Sequence, residues 1–435
     1  MRRALEGTPY AQYVYGYPHK TAYRALAPPR ELAPLWAHEF ESSALRRDAL
    51  FLYVHVPFCE MRCGFCNLFT TVRPEGSLEA RYLEALARQA SVLRDALGDV
   101  SFARLAIGGG TPTWLDPAQL EALFAIVERT MGARPTSVPV SVETSPETAT
   151  DDRLAVLEAH GVDRVSIGVQ SFFEDEAKSM GRPQKRASVE AALDRIRARS
   201  FSTLNIDLIY GASAQTPARW VESLALALRY APEELYLYPL YVRPMTGLAK
   251  TARQWDDERL ALYRLGRDYL CANGYEQRSM RMFRRANSPQ KPAPPYACQS
   301  DGMVGLGCGA RSYTSALHYS EEWAVGGRSV REILDAYVAR DERDFAFARY
   351  GVELSTDEQR RRAAILSLLS DEGLAPGVEA SALEGLSTLR ELGFVHALSD
   401  GRLALTAAGL ERADAIGPAL FSEAMAARME TFSLR

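Results

Sequence analysis

The sequence predicts an α/β protein: a sheet of six parallel strands with helices crossing between them. Three observations carry that expectation. Between Phe51 and Leu240, strand-like apolar runs alternate six times with helix-like stretches. Polar or glycine residues recur where successive strands end, at Gly108–Gly110, Glu143, Gln170 and Asp207, and active sites of parallel α/β folds gather at those C-terminal ends. The first strand runs directly into Cys59-Glu-Met-Arg-Cys63-Gly-Phe-Cys66, a loop with half of the chain's six cysteines.

Each element has its own justification. Phe51–Val56 is an alternating apolar run and reads as a strand. Leu83, Leu86, Ala90, Leu93 and Leu97 recur at helical spacing, so Leu78–Leu97 reads as a helix. Ala103–Ile107 is a short apolar strand before Gly108-Gly-Gly-Thr111-Pro-Thr113, and a helix follows from about Pro117 to Met131. Further strands are expected at Val138–Glu143, Arg164–Val169, Thr203–Ile209 and Glu234–Leu240. The helices between them are Asp151–His160, one from Glu174, one from Ala187, and one opened by Thr216 as N-cap with Pro217 at the first helical position.

The flanks read differently. Residues 1–50 hold Tyr10, Tyr13, Tyr15, Tyr17 and Tyr23, broken by Pro9 and Pro18, with Ala-Pro-Pro at 27–29. The prolines argue against one long helix, so this is expected to be an arm packed on the surface of the main domain or closing over a site. Residues 246–345 look less regular, with Arg278, Arg281, Arg284 and Arg285 as a solvated face, a loop from Pro289 to Pro295, and a glycine-rich turn at 305–309. Residues 346–435 suggest helices at Glu358–Ser370 and Val378–Leu392, then two short strands over Phe394–Leu405 around Asp400-Gly401. That is a mostly helical, winged-helix-like unit. The expected division is 1–50, 51–245, 246–345 and 346–435.

Composition narrows the function classes. A chain of 435 residues, 47% hydrophobic and 24% charged, is globular in type, and its net charge of −4 gives no sign of a nucleic-acid or anionic-membrane partner. No apolar run approaches the roughly 20 residues that span a bilayer. Met1-Arg-Arg-Ala-Leu-Glu-Gly lacks an apolar signal segment, so a cytoplasmic protein is expected. Cys271, Cys298 and Cys308 are scattered and read as buried small residues.

The cysteine triple carries the chemistry. Three thiolates hold three corners of a four-iron cluster and leave one iron open. A zinc site wants four closed ligands, and a disulfide uses only two thiols and suits an oxidising compartment. The ligand that explains the remaining strand-end residues is S-adenosylmethionine. Its amino group needs backbone carbonyls and a carboxylate, offered by Gly109, Gly110 and Glu143; its carboxylate needs an arginine, Arg182. Its ribose diol needs Gln170 and Asp207, and its adenine an apolar slot at Phe65. One electron through the cluster then yields a 5′-deoxyadenosyl radical. Taken singly, Glu143 and Asp207 read as helix caps or ion-pair members, and Arg182 as a surface charge.

These residues resemble the radical SAM superfamily and, more narrowly, the oxygen-independent coproporphyrinogen III oxidase family. The likeness rests on Tyr53-Val-His-Val-Pro-Phe with the cysteine triple, on 108–113 including Thr111, and on Ser141-Val-Glu143. It continues through Gly168-Val-Gln170-Ser-Phe172, Gly181-Arg182 and Asn205-Ile-Asp207-Leu-Ile-Tyr-Gly211. It implies a partial (β/α)6 barrel with a C-terminal helical domain. It also implies a [4Fe–4S] cluster on Cys59, Cys63 and Cys66, S-adenosylmethionine on the strand-end set, and a one-electron donor such as flavodoxin or ferredoxin. Tyr53, beside the cluster, is the expected catalytic contact. Porphyrinogen oxidases of this family carry a further cysteine two residues after the third ligand; here that residue is Leu68. The expected reaction is therefore methyl or methylene transfer from a second S-adenosylmethionine to a small molecule by a monomeric enzyme. Porphyrinogen oxidation and heme carriage are the alternatives.

Overall fold

The computed structural model describes residues 2–243, 245–250, 256–292, 296–297, 301–380 and 383–433. Cys298 and the end of the expected 289–295 loop lie outside them.

Six parallel strands form within a few residues of the expected bounds: Leu50–Val56, Phe102–Gly109, Val140–Thr144, Arg164–Gln170, Thr203–Tyr210 and Glu234–Pro239. They are hydrogen-bonded in chain order, all parallel. Because side chains alternate along a strand, Leu52, Val54 and Val56 point to one face and are fully buried. The helix Leu78–Leu97 lays its buried stripe of Leu86, Ala90, Leu93 and Leu97 in the same core. Each such leucine contributes roughly 1.5–3 kcal/mol when buried, which is why this spacing declares itself in sequence. The helix from Pro117 starts on a capping box between Asp116 and Gln119 and runs to Ala125, then widens into a π turn over Ile126–Thr130.

The sheet does not stop at six strands. Met303–Leu306 joins Leu50–Val56 in parallel on its free side. Arg311–Tyr313, Leu317–Ser320, Phe347–Glu353 and Arg24–Glu31 then add on antiparallel. At the opposite edge stand Met282–Arg285 and Tyr275–Gln277, giving thirteen strands among the described residues. Residues 246–345 are thus more regular than expected. Their strands are three or four residues long, too short for a period-2 pattern to register.

The arm is not laid on the surface. Its strand Arg24–Glu31 forms the sheet's edge, where Pro28 and Pro29 are tolerated because one side makes no ladder; the register slips there, between Ala25 and Arg30. Tyr17 and Tyr23 are fully buried, and the Tyr17 hydroxyl donates to the Glu358 carboxylate. Near the C-terminus, Ser355 caps the helix Thr356–Leu368, and Val395–Ala397 pairs with Leu403–Leu405. Of the helix expected over 378–392, residues 381–382 lie outside the described ones; among the described residues it runs over Leu386–Glu391, after Gly385 at φ 84°. Among the described residues no helix is long and apolar enough to cross a membrane.

Candidate cluster and nucleotide site

The cysteine loop leaves the first parallel strand through Phe58–Cys59, which pairs with Thr71–Val72 in a short ribbon. The Gly64 amide donates to the carbonyls of Met180 and Gly181 at 3.1 and 3.3 Å, and its carbonyl accepts from Leu248 N at 2.8 Å. A Cβ on Gly64 would stand 2.7 Å from the Met180 oxygen, so the loop docks there only as glycine. The three thiols lie within electrostatic range of one another. Burial, then the charges of Cys66 and Cys63, push Cys59 up to about 12, and burial likewise raises Cys66. Arg182 Nη1 donates to Cys63 Sγ at 3.2 Å, and Thr111 Oγ1 points to Cys59 Sγ at 3.8 Å. Among the described residues no three ligand-type side chains converge on a point suited to one metal ion. A cubane, being itself several atoms across, asks instead for thiols spread around it. Three soft donors on one loop, two of them met by side-chain donors, fit an iron–sulfur cluster.

The other expected positions surround this loop. Gly109 N donates to Glu143 Oε2 at 3.0 Å. Gly110 packs so closely that a Cβ would lie 2.5 Å from Phe58 O and 2.9 Å from Cys59 Sγ. Glu143 has accessible surface although it lies deep in the protein, because it faces an open lumen. Burial raises its carboxyl to about 7, against the lowering effect of the Gly109 amide. Asp207 accepts from Asn205 Nδ2 at 2.7 Å and is raised to about 6, again by burial. Gln170 sits at φ 67°, where the ladder to the next strand slips, a conformation that costs a residue with a Cβ about 1–2 kcal/mol. Arg182 Nη2 donates to Gly168 O at 2.9 Å, joining this strand end to the cysteine loop. Phe65 packs against Met180, Ile209, Leu240 and Leu248, an apolar patch beside the same loop.

Tyr53 and His55 occupy the lumen-facing positions of the first strand. His55 Nε2 donates to Phe69 O at 2.9 Å, which leaves Nδ1 to accept from the Tyr53 hydroxyl at 3.3 Å. Burial lowers His55 to about 4, so it is a neutral framework residue. Tyr53 also borders a cavity of about 500 Å³, lined among others by Tyr13, Tyr15, Arg281, Arg311 and Tyr313.

Several features were not legible. Arg281 is not on a solvated face: it is 3% exposed, donates to Asp414 Oδ1 at 2.8 Å, and lies over the Tyr13 ring. Arg278, Arg284 and Arg285 pair with Asp371, Glu234 and Glu233. Cys308 is buried as expected, but Cys271 is exposed. Arg311, two residues after the glycine-rich turn, lines the cavity with no local pattern in the sequence to mark it.

Comparison with known proteins places the chain. The radical SAM superfamily model matches residues 53–227, and that stretch is a radical SAM domain. The chain is 27% identical to heme chaperone HemW of Bacillus subtilis over 79% of this chain and 92% of that protein. It is 33% identical to oxygen-independent coproporphyrinogen III oxidase of Paracoccus denitrificans over 54% of each. The solved structure of coproporphyrinogen III oxidase (HemN) from Escherichia coli superposes with a TM-score of 0.74 over 93% of this chain and 96% of that one; at 22% identity this speaks for the fold. The superfamily implies a [4Fe–4S] cluster and S-adenosylmethionine.

Proposed function

We propose that Cys59, Cys63 and Cys66 hold the cluster, and that the enzyme acts on a small organic molecule in the adjoining cavity. The observation that carries this is the place of Tyr53, which lines the cavity and lies within electrostatic range of Glu143. When bound, the cluster and S-adenosylmethionine supply a 5′-deoxyadenosyl radical that removes a hydrogen atom from an unactivated carbon. The chain's residues position and enclose. Glu143 and the Gly109–Thr111 backbone receive the amino group, Arg182 the carboxylate, Gln170 and Asp207 the ribose, and Phe65 the adenine. The buried wall around them keeps out water and oxygen. We place the enzyme in the cytoplasm, as a monomer with flavodoxin or ferredoxin as its electron source.

For the finer reaction we keep methyl or methylene transfer from a second S-adenosylmethionine. Leu68 supports it, a 45% exposed leucine in place of the further cysteine of porphyrinogen oxidases. The cavity also has the volume of a ligand-sized site. The names of the relatives support the competing readings, porphyrinogen oxidation and heme carriage. Anaerobic turnover separates the three. Methyl transfer yields 5′-deoxyadenosine and S-adenosylhomocysteine together; 5′-deoxyadenosine alone overturns it in favour of dehydrogenation. Tight heme binding with neither product assigns carriage. A colourless protein with no dithionite-bleached chromophore overturns the cluster itself.

A further inference from the structure

Gln184 stands on the short link between the helices Glu174–Ser179 and Arg186–Arg197, outside both the barrel strands and the cysteine loop. No motif in the sequence marks it. Its Nε2 donates to the carbonyls of Val169 and Ser171, at 2.7 and 3.0 Å, and its Oε1 accepts from Arg182 Nε at 3.1 Å. A side-chain amide has two N–H donors and one carbonyl, and here every one of these groups is engaged. The partners also fix which end is which: two carbonyls require donors, and a guanidinium N–H requires an acceptor.

The residue between the two clamped carbonyls is Gln170. It sits at φ 67°, where the ladder steps from Gly168–Asp207 to Gln170–Leu208. Ser171 N also donates to Val169 O, at 2.8 Å, which closes a tight bend around it. The Gln170 side chain folds back over Gly168, on which a Cβ would stand 2.7 Å from Gln170 Nε2. The left-handed region is unfavourable for a residue with a Cβ and persists only where the surroundings hold it. Gln184 supplies two ties, one on each side of the bend. The same amide holds Arg182. Each nitrogen of that guanidinium has a different partner: Nε the Gln184 oxygen, Nη1 the Cys63 sulfur, Nη2 the Gly168 carbonyl. Because the group is planar, the Gln184 contact helps set the plane in which the other two are made.

We propose that Gln184 is a positioning residue for S-adenosylmethionine cleavage, one amide that sets the Gln170 bend for the ribose and the Arg182 plane for the ligand carboxylate and the Cys63 sulfur. Its own bonds go to protein, so it acts through those two residues. This deepens the proposed function and rests on its reading of Gln170 and Arg182 as contacts of the nucleotide.

Two substitutions separate the two ends of the amide. A carboxylate accepts and does not donate, so Gln184→Glu keeps the Arg182 contact and releases the Gln170 bend. Gln184→Met keeps the length and removes both. The test is equilibrium binding to the anaerobic reconstituted holoenzyme of methionine, which reports on the Arg182 side, and of 5′-methylthioadenosine, which reports on the ribose side. Gln184→Glu is expected to weaken 5′-methylthioadenosine about tenfold and to leave methionine near its wild-type affinity; Gln184→Met is expected to weaken both about tenfold. In Gln184→Met the cluster's reduction potential should also fall, because the N–H···S contact to Cys63 loosens. Gln215→Met is the control. Gln215 bridges the Gly211 amide and the Ile209 carbonyl at the next strand end, so its loss should lower the melting temperature comparably and leave both affinities and the potential unchanged. The proposal is overturned if Gln184→Met binds both molecules as wild type does, if the two Gln184 variants weaken both alike, or if Gln215→Met reproduces the pattern. Should Gln184→Met fail to fold, the split between the two molecules in Gln184→Glu decides by itself. Formation of 5′-deoxyadenosine from S-adenosylmethionine by wild-type protein reports separately on the reading beneath it.

Discussion

Arg182 holds the Cys63 sulfur with one guanidinium nitrogen, at 3.2 Å, and the Gly168 carbonyl with the other, at 2.9 Å. A lysine is a single-point cation and cannot make both contacts. Arg182→Lys is expected to keep the cluster absorbance while weakening S-adenosylmethionine binding at least tenfold, about 1.4 kcal/mol. Equilibrium binding to the anaerobic holoenzyme checks this.

Gly110→Ala should act on the cluster through Cys59. The added methyl would meet the backbone oxygen of Phe58 and the Cys59 sulfur, and backbone has little freedom to give way. The expected result is a loss of about 1–3 kcal/mol in stability, the range for overpacking, together with depleted iron. Iron content and thermal melting are the measurements.

Glu143 should impose a pH dependence. Burial holds its carboxyl up, to about 7, so the protonated form prevails below that pH and the carboxylate above it. Folding gains from this raised value at low pH and loses it as pH climbs through about 7. Binding of the ligand's ammonium runs the other way and strengthens over the same interval. Titrations at pH 6 and 8 should therefore differ in wild type and agree in Glu143→Gln; equal affinities in wild type would separate Glu143 from the amino group.

Asp414 is 1% exposed and is the carboxylate opposite Arg281. Asp414→Ala strands a buried guanidinium, and breaking such a pair costs about 3–5 kcal/mol. Denaturant unfolding should show a loss of that order. The double variant Arg281→Met with Asp414→Ala should recover part of it.

The sequence made the parallel strands, the long helices and the cysteine loop legible because each is local. Leu83 to Leu97 repeats within one helix, and Cys59, Cys63 and Cys66 fit within one turn of loop. What stayed hidden depends on distance along the chain. Nothing around Arg281 announces that its partner is Asp414, and nothing around Tyr17 points to Glu358. Short strands such as Arg311–Tyr313 carry no period of their own; neighbours on either side impose it. The strand-end glycines and carboxylates were readable because a parallel sheet places its C-terminal ends together, whatever the loops do.

The arm strand, paired as Arg24 with Gly351, has a consequence for the order of assembly. One wall of the cavity is supplied by the first tyrosines and another by residues after 360, including Arg362 and Asp414. The barrel strands in between can pair without either, and contacts so distant in sequence form slowly. The cysteine loop should thus pass through a stage in which it is folded yet unsealed, a natural interval for loading iron and sulfide. Refolding followed by hydrogen exchange is expected to protect Leu52 and Val54 before Tyr23 and Gly351; simultaneous protection would mean the enclosure forms in a single step.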